Sequence, residues 1–137
     1  MLPEKIRLEI VTPDHLVLTE GVDEVILPSV KGYMGVRPGH APLLAHLEAG
    51  EIAYRIGSEE KYLACSGGYA EVLADSVSIL AETAEPAAEI DVERAEQARE
   101  RAENRLKGGD AEQDFTRAEV ALKRAMSRIR VHGRLGG

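Results

Sequence analysis

Four cations, Lys123, Arg124, Arg128 and Arg130, crowd one short stretch near the end of the chain, and Asp91 and Arg94 stand three apart upstream of it. Guanidinium groups grip phosphate and carboxylate oxygens through parallel N–H donors, so such a cluster suits a polyphosphate or an acidic protein segment. If two helices fold back on each other, Arg124 and Arg128 return toward Arg94 and Arg101, and the cations converge without matching acids. The plainer reading is a helix cap with an exposed Asp–Arg pair, worth about 0.2–0.5 kcal/mol, beside a solvated basic face. Residue types alone leave these readings open.

His40 is the other residue whose type could carry chemistry. It follows Pro38-Gly39 and precedes Ala41-Pro42, where the backbone turns before a strand, and a structural corner needs only backbone hydrogen bonds. Catalysis would need a nucleophile or carboxylate at matching spacing. The chain has no G-x-S-x-G, H-E-x-x-H or Ser-His-Asp set, so no catalytic residue is expected. His15, His46 and His132 do not stand at metal-ligand spacing, and a single cysteine, Cys65, forms neither a disulfide framework nor a zinc site, so no metal ligand is expected and a reducing compartment fits. The glycines of SGGYAEV precede no Lys-Ser or Lys-Thr. They read as a bulge or a close backbone approach where a strand begins, not as a phosphate loop.

The elements that must position these residues change period part-way along the chain. Up to about residue 84, apolar residues alternate or form short runs: KIRLEIV, HLVLTE, DEVILPS, GEIAYRI, KYLACS, YAEVLA and SVSILAE. Turn residues separate them at intervals of roughly 8–12 residues, the pattern of an antiparallel β-sandwich or barrel. IGSEEK and ADSV read as hairpin connections. After AEPAAEID the period becomes helical: Asp91 is a cap, Glu93 an acid in the first turn, and Gly108-Gly109 a stop. A second helix follows to His132-Gly133, with Asp110 and Gln113 as a capping box or Asp114 as a simple cap.

The short polar link GGDAEQD makes the two helices an antiparallel hairpin. Their facing stripes are Val92, Ala95, Ala98, Ala102 and Leu106, and Phe115, Ala118, Leu122, Ala125 and Ile129. At about 0.8 kcal/mol per buried methylene, an alanine seam docks weakly, so the hairpin is expected to open, with faster amide exchange in residues 91–132 than in the β region. The expected fold is thus α+β: a β-sandwich over residues 1–85 and a helical hairpin over 86–137.

Charge divides the same way. Residues 1–90 carry fifteen acidic and six basic side chains, whereas 115–137 carry Glu119 against six bases. The net charge of -7 argues against nucleic acid as a partner. The N-terminus reads as neither signal nor transit peptide, and no apolar run approaches the roughly 18 residues of a membrane span, so no direct membrane insertion is expected.

The runs VDEVILPSVKGYMGVRPGHAPLLAHLEAGEI, SGGYAEV, VSILAETAE and RAEVALKRAMSRIRV resemble the epsilon subunit of bacterial F-type ATP synthases, in the same order over nearly the whole chain. The resemblance implies a sandwich that clasps the gamma subunit and rests on the ring of c subunits. It also implies a helical hairpin that folds on the sandwich or extends along gamma, all on the cytoplasmic face of the bacterial membrane. His40 then belongs to a structural and interface corner, and Ser29, Val30, Lys31, Gly32, Tyr33 and Met34 to a loop facing the c ring. Residues 90–95 fit the family's motif for non-catalytic ATP binding, and the resemblance points to Glu85, Ile90, Asp91, Arg94, Ala95, Arg101, Arg124 and Arg128. No cofactor is required, ATP being a regulatory ligand. The extended basic helix, with Lys123, Arg124, Arg128 and Arg130, would meet an acidic segment of the alpha/beta subunits and stop hydrolysis. A free-standing ATP-sensing module without a rotary partner is the competing expectation.

Overall fold

A computed structural model of the chain describes residues 3–108 and 112–134. Eight strands come first: β1 (Ile6–Val11), β2 (Leu16–Val22), β3 (Glu24–Ser29), β4 (Gly32–Val36), β5 (Leu43–Ile56), β6 (Glu59–Val72), β7 (Ser76–Ala81) and β8 (Ala84–Pro86). A 3-10 turn, Ala87–Glu89, leads into helices α1 (Val92–Lys107) and α2 (Glu112–His132).

The hydrogen-bonded order is β2-β1-β7-β6-β5-β3-β4, with β8 pairing β6. All pairings are antiparallel except β1 with β7. β2 nevertheless touches β5, with three strands between them in that order, so the sheet folds over on itself as a sandwich. Alternate side chains fill the space between the layers, among them Ile6, Leu8, Ile10, Leu27, Leu47, Ile52 and Ile79. With one phenylalanine and no tryptophan, the interior interlocks through branched aliphatics, which suit a pleated surface.

Three features differ from the sequence pattern. GEIAYRI is the second half of a 14-residue strand that begins at Leu43, and KYLACS and YAEVLA are largely one strand. Gly32–Val36 is a strand where its glycines give a loop, so the expected loop 29–34 is a tight β3–β4 hairpin. Gly67 and Gly68 sit inside β6 and not at its start.

Their reason is the close approach also expected there. Gly68 has φ +139°, and a β-carbon on it would lie 2.0 Å from the Leu80 carbonyl oxygen. Opposite, β5 and β6 keep one register past the glycines, from Leu43↔Val72 to Ile56↔Glu59.

Asp91 caps α1 as its position requires, Oδ1 accepting from the Arg94 amide at 3.1 Å. Helix α2 begins at Glu112, so Asp114 lies inside the helix and is not its cap. Gly109, Asp110 and the Gln113 side chain fall outside the described residues. The buried seam between the helices is alanine: Ala95 and Ala102 against Ala118 and Ala125. Phe115, placed on that stripe by spacing, lies in the first turn of α2 and is instead exposed.

Candidate functional site

Helix α2 lies between α1 and the sheet, packing on β5 and β6. Its sheet-facing side carries a second stripe that alanine periodicity does not reveal. Ser127 is fully buried and its Oγ donates to the Gly50 carbonyl at 2.7 Å. Val131 packs with Ala64 and Ile90.

Around this contact every cation of the C-terminal cluster meets an acid of the sheet side. The Glu51 carboxylate, its side chain only 10% exposed, accepts from Arg130 Nε at 2.8 Å through Oε1 and from Arg134 Nε and Nη2 at 3.1 and 2.9 Å through Oε2. Arg134 also lies 3.9 Å over the Tyr62 ring. Arg128 Nε donates to Glu85, and its Nη2 lies 3.4 Å from Thr83 Oγ1. Arg124 reaches Glu82 at 3.4 Å, and Lys123 reaches Glu48 at 3.9 Å.

The expectation of guanidinium groups without matching acids is therefore corrected. Their partners are contributed by β5 and by the segment after β7, far away in the chain, and helical spacing cannot report them. The contacts are unequal. Pairs between exposed groups, such as Lys123–Glu48, contribute roughly 0–1 kcal/mol. The Glu51 carboxylate is largely removed from water, and three charge-assisted hydrogen bonds compensate that loss. Glu51, Ser127 and Arg134 are thus the residues that sequence reasoning missed. The available signal was an acid within a strand, GEIAYRI, that is apolar on both faces.

Of the residues expected to hold ATP, Glu85 and Arg128 are joined to each other. Ile90 is buried beneath α2 against Val131 and Ala64. Ala95 is buried in the helix seam, and Asp91 is committed to its cap. Arg94 and Arg101 are exposed on α1, and their side chains have no ion pair or hydrogen bond among the described residues. Among the described residues Arg124 Nε is buried without an acceptor, close to Ser66, Thr83 and Arg128.

His40 closes the turn after β4. Its amide donates to the Arg37 carbonyl at 3.2 Å and its Nδ1 lies 2.7 Å from the Ala41 carbonyl, to which it donates. Gly39, at φ +88°, donates to Ala74. In the β3–β4 hairpin, Ser29 Oγ donates to the Gly32 carbonyl at 2.6 Å and accepts from the Lys31 amide at 3.2 Å, leaving Val30 and Tyr33 outward. The Tyr33 hydroxyl accepts from the Glu51 amide at 3.2 Å, tying this hairpin to the residue that holds α2.

The outer face of the sheet carries an apolar row. His46, Tyr69, Leu80 and Val11 are lateral neighbours across β5, β6, β7 and β1, and Leu44 flanks them. His46 and Tyr69 stack with centroids 4.9 Å apart, while Leu44 and Leu80 remain 70% and 63% exposed. Buried Cys65 adds no chemistry, since burial, with a smaller contribution from Glu82, pushes its thiol pKa up and keeps it protonated. Among the described residues no group of His, Cys, Asp and Glu could hold a metal ion, and no helix is long and apolar enough to cross a membrane.

Two family models cover the two halves. The β-sandwich domain of the ATP synthase delta/epsilon chain matches residues 5–87, and its long α-helix domain matches 88–133. The chain belongs to the ATP synthase delta/epsilon family. An ATP synthase epsilon chain of Syntrophobacter fumaroxidans is 54% identical over 130 residues, covering 95% of this chain and 97% of that one. One from Moorella thermoacetica is 48% identical over 129 residues, covering 93% and 96%. Among solved structures, a chain of the Euglena gracilis mitochondrial ATP synthase, in an OSCP/F1/c-ring assembly, matches with a TM-score of 0.81 at 28% identity, covering 93% of this chain and 81% of that one. A chain of the Tetrahymena thermophila central stalk and c ring shares the fold, with a TM-score of 0.64 at 18% identity and full coverage of both chains.

Proposed function

We propose that the chain is the epsilon subunit of a bacterial ATP synthase: a non-catalytic rotor component that couples ion translocation to ATP synthesis and restrains hydrolysis through its hairpin. The observation that carries the regulatory reading is the α2–sheet contact. Beyond Val131 it is held mainly by ion pairs and one buried hydroxyl, so an acidic partner can take over the same cations.

The apolar row Leu44–Tyr69–Leu80 is larger than scattered surface residues need and supports docking of the gamma subunit there. The β3–β4 hairpin, with Lys31 at its tip, faces the c ring. When the hairpin opens, Lys123, Arg124, Arg128 and Arg130 exchange sheet carboxylates for acids of the alpha/beta subunits and block rotation. The assembly is peripheral on the cytoplasmic face of the membrane.

ATP binds the packed form, through Glu85, Ile90, Asp91, Arg94, Ala95, Arg101, Arg124 and Arg128. Spare donors support this: Arg94 and Arg101 lack acid partners among the described residues, and Arg124 Nε lacks an acceptor. A ligand that touches both α1 and α2 shifts the equilibrium by its differential affinity for the packed state.

Calorimetric titration of the isolated chain with ATP tests this switch. Selective binding over ADP, weakened about tenfold or more in Arg94→Ala through loss of a charge-assisted contact, is the expected result. Absence of heat at millimolar ATP would remove the nucleotide from the mechanism and leave a rotor subunit answering to other signals.

A further inference from the structure

A cavity of about 360 Å³ opens away from the α1 cations, between β2, the paired strands β5 and β6, and the turn that follows β8. Its walls are mostly apolar, with Val17, Leu18, Leu63, Pro86 and Ala87 among them. That volume and lining, with a few polar groups at one side, are those of small-molecule sites, which run from roughly 300 to 1,000 Å³.

Tyr54 says what the site takes. It is 7% exposed and lines the cavity, yet its phenol has no hydrogen-bond partner among the described residues. Its hydroxyl is not sealed from solvent, so it stands at the cavity wall able to donate to a ligand. Burial, and then Glu20 and Glu59, push its pKa up, so the phenol keeps its proton and acts as a donor.

Lys61 stands directly across from Tyr54 in the β5–β6 register. Facing partners in an antiparallel pair leave the sheet on the same side, about 4.5–5.5 Å apart at Cβ. Of the other charged residues lining the cavity, Glu60 accepts from the Tyr62 hydroxyl at 2.6 Å and Arg134 is held by Glu51. The Lys61 ammonium has no partner among the described residues. A neutral donor and a free cation side by side, above an apolar pocket, complement a carboxylate with a hydrocarbon or aromatic body.

We propose that this cavity binds a small amphipathic monocarboxylate, its carboxylate between the Tyr54 phenol and the Lys61 ammonium and its apolar body against Leu18 and Leu63. The site is separate from the nucleotide residues of α1 and needs none of them.

The test is a titration of the full-length, nitrogen-15-labelled chain with 4-phenylbutyrate, followed by amide shifts. Saturable shifts centred on Val17, Leu63 and Ala87 are expected, with affinity about tenfold weaker in Tyr54→Phe and in Lys61→Gln, and for the uncharged 4-phenylbutyramide. Lys61 is exposed, so Lys61→Gln keeps the test decisive should Tyr54→Phe fail to fold. No saturable shift at millimolar ligand, shifts centred on Leu44, Tyr69 and Leu80, or equal affinity for Lys61→Gln and the native chain would overturn the proposal.

Discussion

Glu51→Gln is expected to destabilise the packed hairpin by about 2 kcal/mol, shifting its opening equilibrium about thirtyfold. Glutamine keeps the shape but removes the negative charge that pairs with both guanidinium groups, and only its carbonyl oxygen can still accept, so its amide NH2 faces an arginine donor. Arg130 and Arg134 are both more than 40% exposed and recover water, so the loss stays below that of a fully buried broken pair, roughly 3–5 kcal/mol. The readout is amide exchange at Ala125 and Val131, in the two buried faces of α2, against Ile52 in the sandwich as internal reference. Glu48→Gln, which removes only an exposed contact at 3.9 Å, is expected to change nothing beyond about 0.5 kcal/mol. Equal exchange in Glu51→Gln and the native chain would mean that apolar packing, not the carboxylate, holds the helix.

Gly68→Ala is the second large effect, and it falls on the sandwich. The residue has φ +139°, a region that side chains rarely enter, and its new β-carbon would meet the Leu80 oxygen at 2.0 Å and the Ala81 Cα at 2.9 Å. Both obstacles are backbone, on the strand paired with it, so relief requires β6 and β7 to separate. A loss of about 3 kcal/mol or more is expected, lowering the melting temperature by roughly 10 °C. Gly57→Ala is the comparison: its φ is +63° but nothing lies within 4 Å, so it should cost about 1 kcal/mol. Equal melting temperatures for the two variants would contradict the close-approach account.

What could be read from the chain follows from the range of each interaction. The switch from alternating to helical period, the Asp91 cap and the four buried alanines of the seam depend on neighbours a few residues apart, and local spacing reports them. Strand β4 was hidden because Gly32 and Gly35 weaken the alternation that marks a strand. The fusion of segments into β5 and β6 was hidden because glycines that signal turns can instead serve a close backbone approach inside a long strand. Phe115 followed the right period but lies in the first turn of α2, where it stays exposed.

The site divides along the same line. Asp91 and the cations of α2 stand out in the sequence, whereas Glu51, Glu82 and Glu85 become their partners only when α2 returns across the sheet, over separations of more than forty residues. Ser127 looks like any polar residue on a basic helix until its hydroxyl is seen closed on Gly50. Long-range pairing thus converts what reads as a solvated basic face into the contact that holds the hairpin down.

The most direct test of the regulatory account is the ATP hydrolysis rate of membrane-bound synthase carrying the chain truncated after Ile90, normalised to the amount of assembled complex. A rate several-fold above that with the full chain, at equal assembly, is predicted, because the sandwich still couples while nothing remains to block rotation. An unchanged rate at equal assembly would contradict the inhibitory role and reduce the hairpin to a passive appendage of the sandwich.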